Sequence, residues 1–537
     1  MIRQKYLFFL AGALFISLSA ASQVQRPAID RDLEEVTIPR LHELYAAHQY
    51  TVSEVTQWYL DRVSRYDSVY KAVLYVDKEG AMATAAAMDA AFKNGARNFS
   101  KGSLWGIPIV IKANMSAKGL ITSAGWKGYM IPGHELIANN DATVVAKLKA
   151  AGAVIIGQTN MPDFAASDTN LSSAGGRTGN AYDWRFSPGG SSGGTVTAVA
   201  ANFAVAGTGT DTGNSIRMPS ATSSLVGVLP TRGLTSIWGI QPLDWLLDNA
   251  GPIARNVTDA SVLLDVMAGE DPHDFRTKGA LKVEMGSFAK SLDKRALKGK
   301  RFGVPAFMTK EKGWGLLMQP ETRAAFMKAL DGLRAAGATV VIDSTILPDS
   351  FPMLVRKVDT APYLREGADN YLRDFGTMEY QSVEGFEKVT GTPIPGYVVG
   401  VFEDIKDPLP QRRLEDDPDA PKLFWAPQKA ALDAYEEPLN RLHLDAYVYP
   451  AIQMPPNDET IPQPDGEPSS GPHSWTAWAN VIGVPAIVVP GGFYSNGLPF
   501  GLEISTRRWK DRDLLSWAFA YEQATKHRKP PLLVDKK

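Results

Sequence analysis

Residues 187–217 read SPGGSSGGTVTAVAANFAVAGTGTDTGNSIR, and the fold turns on how this run is understood. By composition alone it is a flexible glycine–serine linker. Its interior argues otherwise, because Thr195 to Ala206 is an Ala/Val-rich segment without polar filler, suited to a buried helix that runs into a strand. The flanks then become two loops hung on buried structure. In the first, Ser191 and Ser192 sit between Gly189-Gly190 and Gly193-Gly194, so the backbone reaches conformations closed to other residues and its amides can converge on an anion. In the second, Gly207-Thr-Gly-Thr-Asp-Thr-Gly-Asn-Ser-Ile-Arg217 presents Ser215 after small residues, so successive N–H groups can surround a developing oxyanion.

Working outward, Ile107 to Ile111 reads as a buried strand ending at Lys112, Thr143 to Ala151 as a helix stopped by Gly152, and Ala153 to Gly157 as the next strand. Strands alternating with helices indicate an α/β protein. Asp32 to Asn94 carries a helical pattern throughout, in Leu41, Leu44 and Tyr45 and again in Val55, Trp58, Tyr59 and Val63, with a capping box at Thr51 and Glu54. Further strands are expected at Arg301–Pro305, Thr339–Ile342, Asp445–Tyr449 and Ala486–Val489, with helices at Glu321–Ala336 and Asp513–Thr525. Between them, about residues 345–440 are irregular and charged, and read as a helical elaboration that walls a substrate pocket. Trp126 and Trp425 suit core or pocket equally. No internal repeat is visible.

A lysine at the end of an apolar strand is usually an edge residue that snorkels to water. Buried instead, Lys112 loses part of its affinity for a proton and becomes a usable base. The pattern G-x-S-x-G occurs around both Ser191 and Ser192, as in the nucleophile elbow of Ser-His-Asp hydrolases. That elbow needs a strand directly before the serine, whereas Tyr182 to Pro188 is polar and ends in proline, and the seven histidines are scattered. Gly207 and Gly209 lack the third glycine of a dinucleotide loop. The two S-x-x-K matches, Ser287 to Lys290 and Ser291 to Lys294, lack companion motifs. With no cysteine and no histidine pair on one helical face, neither a metal nor an organic cofactor is expected.

These segments resemble the amidase signature family. Trp105-Gly-Ile-Pro-Ile-Val-Ile-Lys-Ala-Asn114 is similar to its catalytic-lysine strand, and Ala150-Ala-Gly-Ala-Val-Ile-Ile-Gly-Gln-Thr-Asn-Met161 to the helix and strand that follow. SPGGSSGG and GTDTGNSIR are similar to the family's glycine- and serine-rich block. Ala479 to Phe493 and Leu498 to Ile504 resemble its late strands. The resemblance implies a mixed β-sheet flanked by helices over residues 23–537, and an enzyme that cleaves linear carboxylic amides. It implies Ser215 as nucleophile, Ser191 as a bridging serine after a cis peptide from Gly190, and Lys112 as base. The N–H groups of Thr212, Gly213, Asn214 and Ser215 would form the oxyanion hole. Ser192, Asp211 and Arg217 would support them, the last two as a pair bracing the nucleophile loop. Two residues depart from the family pattern: Ala113 stands where aspartate is usual and Asn214 where glycine is. Asn214 keeps its N–H and tolerates positive φ better than most residues, while its side chain narrows the site.

The 56 basic and 58 acidic residues leave a net charge of −2, with no electrostatic footprint for nucleic acid, so a small-molecule or peptidyl amide is the expected partner. Arg3 and Lys5 precede an apolar run from Leu7 to Leu18 and small residues through Ser22, the form of a cleavable signal peptide over residues 1–22. The run is shorter than the roughly 20 residues of a membrane span. A periplasmic or secreted amidase is expected, without a membrane span after cleavage and with its oligomeric state open. An esterase on the same triad and a non-catalytic binding protein on the same scaffold are the alternatives.

Overall fold

A computed structural model describes residues 28–95, 103–282, 288–310, 317–401, 410–462 and 472–535. The signal-peptide segment, residues 1–22, lies outside the described residues. Contacts divide the chain into Met1–Glu34 and Glu35–Lys537. The described part of the first unit is the short helix Ala28–Leu33 followed by Glu34, and the second unit carries the sheet.

The strands of the second unit are β1 (Val73–Val76), β2 (Ile107–Lys112), β3 (Ala153–Thr159), the ribbon β4 (Leu171–Ser172) and β5 (Gly176–Arg177), and β6 (Ala206–Asp211). They continue with β7 (Val226–Leu229), β8 (Asn249–Ala254), β9 (Arg301–Val304), β10 (Thr339–Ile342), β11 (Ala446–Pro450), β12 (Ala486–Phe493) and β13 (Pro499–Ser505). Among the described residues all but the ribbon join one sheet of 11 strands in the order β1-β3-β2-β6-β8-β7-β12-β13-β11-β9-β10. Pairing is parallel at β3-β2-β6 and at β11-β9-β10 and antiparallel elsewhere, so the sheet is mixed.

Every residue of β2, β3 and β6 is buried, which suits their unbroken runs of apolar and small side chains. Helix Thr143–Ala150, with Val144, Val145 and Leu148 buried, carries the chain from β2 to β3. Helix Gly193–Ala200 is buried over its full length; its small side chains let it lie close to the sheet before the chain enters β6. Because β2, β3 and β6 are parallel, their C-terminal ends share one edge of the sheet. Lys112 ends β2 and Asp211 ends β6 there, so the long-range ladder assembles the site.

The capping box forms: the Thr51 hydroxyl accepts the Glu54 N–H at 3.1 Å and the Glu54 carboxylate accepts the Thr51 N–H at 2.8 Å. The expectation of unbroken helix from Asp32 to Asn94 needs correction, since β1 interrupts it between helices Val52–Tyr70 and Lys78–Lys93. β1 is a half-buried edge strand held by β3 on one side only, so its four residues carry little apolar signal. The elaboration contains helices Ser350–Val355, Leu364–Phe375, Val383–Thr390 and Ala426–Arg441. Trp126 belongs to a buried aromatic cluster with Tyr129, Phe164 and Phe386, whereas Trp425 is 45% exposed. No helix among the described residues is long and apolar enough to cross a membrane.

Candidate active site

Lys112 is fully buried and donates to Ser191 Oγ at 2.6 Å and to Thr210 Oγ1 at 2.8 Å. Thr210 arrives through the parallel register of β2 and β6, in which Val110 lies opposite Gly207. Asn114 Nδ2 donates to the same Thr210 hydroxyl at 3.1 Å. Burial pushes the lysine down to about 7, against the pull of Asp211 and Asp248, which favour its charged form. The amine is therefore surrounded by hydroxyls and titrates near neutrality.

Ser191 follows a cis peptide from Gly190 and lies just before helix Gly193–Ala200. The glycines here answer to close backbone approach. A Cβ on Gly190 would meet Ser167 O at 2.5 Å, and one on Gly194 would meet Asn160 O at 2.3 Å. Ser192 donates its N–H to Ser215 O at 3.1 Å and its hydroxyl to Thr210 O at 3.3 Å, tying the first loop to the second. No side-chain hydrogen bond joins the hydroxyls of Ser191 and Ser215 among the described residues.

Ser215 is 6% exposed, on the wall of a cleft of about 1160 Å³ that Thr212, Gly213 and Asn214 also line. The Ile216 and Arg217 N–H groups are taken by Asp211 Oδ2, at 2.9 and 3.4 Å. Those of Thr212, Gly213, Asn214 and Ser215 make no hydrogen bond to the described protein, leaving four donors for an oxygen in the cleft. The pair of Asp211 and Arg217 forms at 3.0 Å, fully buried, and belongs to a larger network. Arg217 also donates to Gly213 O at 2.8 Å, Asn480 Oδ1 at 2.6 Å and Glu503 Oε1 at 2.7 Å, and Tyr449 donates to Glu503 at 2.9 Å. Burial opposes the charge on Arg217, but Asp211 and Glu503 outweigh it and raise its affinity for a proton. Burial pushes Glu503 up to about 7, against the pull of Arg217.

The Amidase family model matches residues 54–515. The chain belongs to the Amidase family. This amidase is 32% identical over 497 residues to the glutamyl-tRNA(Gln) amidotransferase subunit of Alkaliphilus metalliredigens, across 91% of this chain and 96% of that one. The corresponding protein of Thermosynechococcus vestitus is 32% identical over 507 residues, across 92% and 99%. In structure, the amidase matches the native peptide amidase from Stenotrophomonas maltophilia with a TM-score of 0.75 and 29% identity, covering 93% of this chain and 99% of that one. An amidase family protein from Bacillus anthracis matches at 0.76 with 27% identity, covering 94% of each. The mixed sheet flanked by helices is the fold of these enzymes, which act on C–N bonds as hydrolases or amidotransferases.

Both departures from the family pattern have a place in the amidase. Ala113 packs with Met161 and Ala165, so this position puts no carboxylate beside Lys112. Asn214 Nδ2 donates to Asp168 Oδ1 at 3.1 Å and to Ser474 Oγ at 2.9 Å, joining the nucleophile loop to two cleft walls. Its φ is not positive, so tolerance of that region is not what the asparagine supplies. Sequence reasoning missed Thr210, Asp248, Asp168 and His473. Asp168 and His473 line the cleft 3.8 Å apart, and Asp168 raises the affinity of His473 for a proton. Leu364 and Tyr397 of the elaboration also line the cleft. Trp425 lines a second cavity of about 580 Å³ with Trp238, Trp245 and His273.

Proposed function

We propose that this amidase is an exported hydrolase that cleaves the C–N bond of a carboxylic amide through an acyl-enzyme on Ser215. The observation that carries the reading is the fully buried Lys112, near-neutral in titration and 2.6 Å from Ser191 Oγ. Neutral Lys112 takes the Ser191 proton as Ser191 takes that of Ser215, whose Oγ adds to the amide carbon. The relay between the serines closes in the substrate complex, as catalytic hydrogen bonds commonly tighten there. The unpaired N–H groups of residues 212–215 receive the oxyanion. The tetrahedral adduct collapses, the C–N bond breaks, and the relayed proton leaves on nitrogen. Water, deprotonated through the same relay, then adds to the acyl carbon and frees Ser215.

The charged and titratable side chains lining the cleft are Asp163, Asp168, Asp244 and His473, with no arginine or lysine among the described lining residues. Neutral or cationic amides suit this wall; anionic ones do not. The residue pattern of the first 22 residues supports export. The same triad cleaves esters, whose leaving group is easier to expel.

The test is release of ammonia or amine from primary, peptidyl, aryl and fatty amides by the protein, beside Ser215→Ala and Lys112→Ala. Losses of roughly 10²–10⁴-fold are expected in both variants. Equal activity in Ser215→Ala sinks the mechanism. Brisk ester cleavage with no amide turned over favours an esterase. Recovery of the mature chain outside the cytoplasm tests export.

A further inference from the structure

Asp248 ends the turn before β8 and is 3% exposed. Its Oδ1 accepts the Thr212 hydroxyl at 2.5 Å, and its Oδ2 accepts the N–H groups of Leu243 at 3.0 Å and Asp244 at 3.3 Å. Thr212 is the first residue beyond β6 and opens the run of four unpaired N–H groups. The same segment reaches the lysine from another side, because Asn114 donates to both Thr210 Oγ1 and Gln241 O. Residues 241–248 thus contact the oxyanion loop through one side chain and the hydroxyl cage of Lys112 through another.

We infer that Asp248 is a positioning residue of the reaction, whose carboxylate holds the oxyanion loop through Thr212 and whose charge governs the pH at which Lys112 becomes a free base. This rests on the roles proposed above for Ser215 and Lys112. The charged groups around Asp248 are Asp244 on its own turn, Arg276, Arg232, and Asp211 and Lys112 at the sheet edge. Arg276 donates to the Asp248 carbonyl at 3.1 Å and is paired with Asp274 at 2.7 Å.

Burial pushes the Asp248 carboxyl up to about 7, the Thr212 hydrogen bond and Arg276 opposing and Asp244 assisting. Asp248 and Lys112 therefore exchange protons with water over one pH range, and their apparent values belong to the pair. Ionised Asp248 favours the ammonium form of Lys112. A neutral side chain in its place lets the free amine persist to lower pH. Asparagine can keep the bonding pattern: its oxygen accepts from Leu243 and Asp244, and its NH₂ donates to Thr212 Oγ1.

The experiment is the rate at which a fluorophosphonate probe phosphonylates Ser215 in the full chain, followed from pH 5 to 9. The Oγ–P bond forms, fluoride leaves, and the serine proton passes to the relay, so the natural substrate need not be known. In the native protein the rate is expected to fall below about pH 7. Asp248→Asn is expected to move that limb down by about half a pH unit or more. Thr212→Val is expected to leave the limb in place and lower the plateau about ten-fold, with Thr212→Ser restoring it. Should Asp248→Asn fail to fold, Asp248→Ser supplies a neutral side chain of smaller volume. An unmoved limb in the neutral variant overturns the electrostatic role, and an unchanged plateau in Thr212→Val overturns the loop role. Absence of phosphonylation in the native protein overturns the hydrolase reading and this inference with it.

Discussion

Lys112 and Arg217 are both buried cations at the same sheet edge, and they meet opposite fates. Lys112 faces the hydroxyls of Ser191 and Thr210, and burial brings it down to about 7. Arg217 faces the carboxylates of Asp211 and Glu503 and holds its proton more firmly than in water. Burial opposes charge at both positions, so the partners decide. Hydroxyls solvate an amine without binding its proton and leave a base, while carboxylates fix a guanidinium and make a brace.

Exchanging Lys112 for a side chain that cannot take a proton separates the two fates most sharply. Lys112→Met is expected to reduce kcat/KM for any amide turned over by about 10⁴-fold, the upper end for general-base assistance. The same substitution is expected to raise stability at pH 7 by about 1–2 kcal/mol. The lysine's value is lowered from 10.5 in the unfolded chain to about 7 in the folded one, so the unfolded state binds more protons between these limits. Native stability therefore rises with pH across that window, and the advantage of Lys112→Met shrinks from pH 7 toward 10.5. Urea titrations at pH 7 and 10 show this, and a destabilised Lys112→Met would refute it.

Arg217→Ala leaves two buried carboxylates unpaired and is expected to lower unfolding stability by about 3–5 kcal/mol. A loss below 1 kcal/mol would mean that the network braces little. In the native protein kcat/KM should fall ten-fold per unit below about pH 7, as Lys112 takes up its proton, and flatten above it. A limb near pH 5 would assign the base elsewhere. The smallest effect is expected from Asn214→Gly, which removes the contacts to Asp168 and Ser474 and should change KM by about two- to five-fold across a series of amides of increasing bulk, with kcat little altered. Proportional losses in kcat would place Asn214 in the chemistry instead.

The residues that bring base and nucleophile together were legible in the chain. The apolar run before Lys112 and the Ala/Val segment after Ser192 carry buried strand and helix in their own composition. β8 was not legible, because Asn249-Ala-Gly-Pro-Ile-Ala254 has no alternation and contains Pro252, yet it pairs along the whole of β6. Its place is set by partners some 40 residues away, beyond the reach of local pattern. Glu503 and Asn480 lay in segments whose family likeness was read, but their bonds to Arg217 span 286 and 263 residues, and a buried carboxylate in an apolar strand announces no partner. Asp168 and His473 meet only across the cleft, and neither neighbourhood carries a periodic signal.

The ladder between β2 and β6 also divides the molecule into parts that can change and parts that cannot. Because main-chain bonds set Lys112 against Thr210 and deliver the Ser215 loop at the same edge, the spacing of the reacting groups belongs to the backbone and is insensitive to most side-chain replacements. Asp163, Asp168, Leu364, Tyr397 and His473, which shape the opening, all lie outside that ladder. The molecule works as a fixed tool with an exchangeable holder, in which loops can be recut for a different amide without retuning the proton transfer.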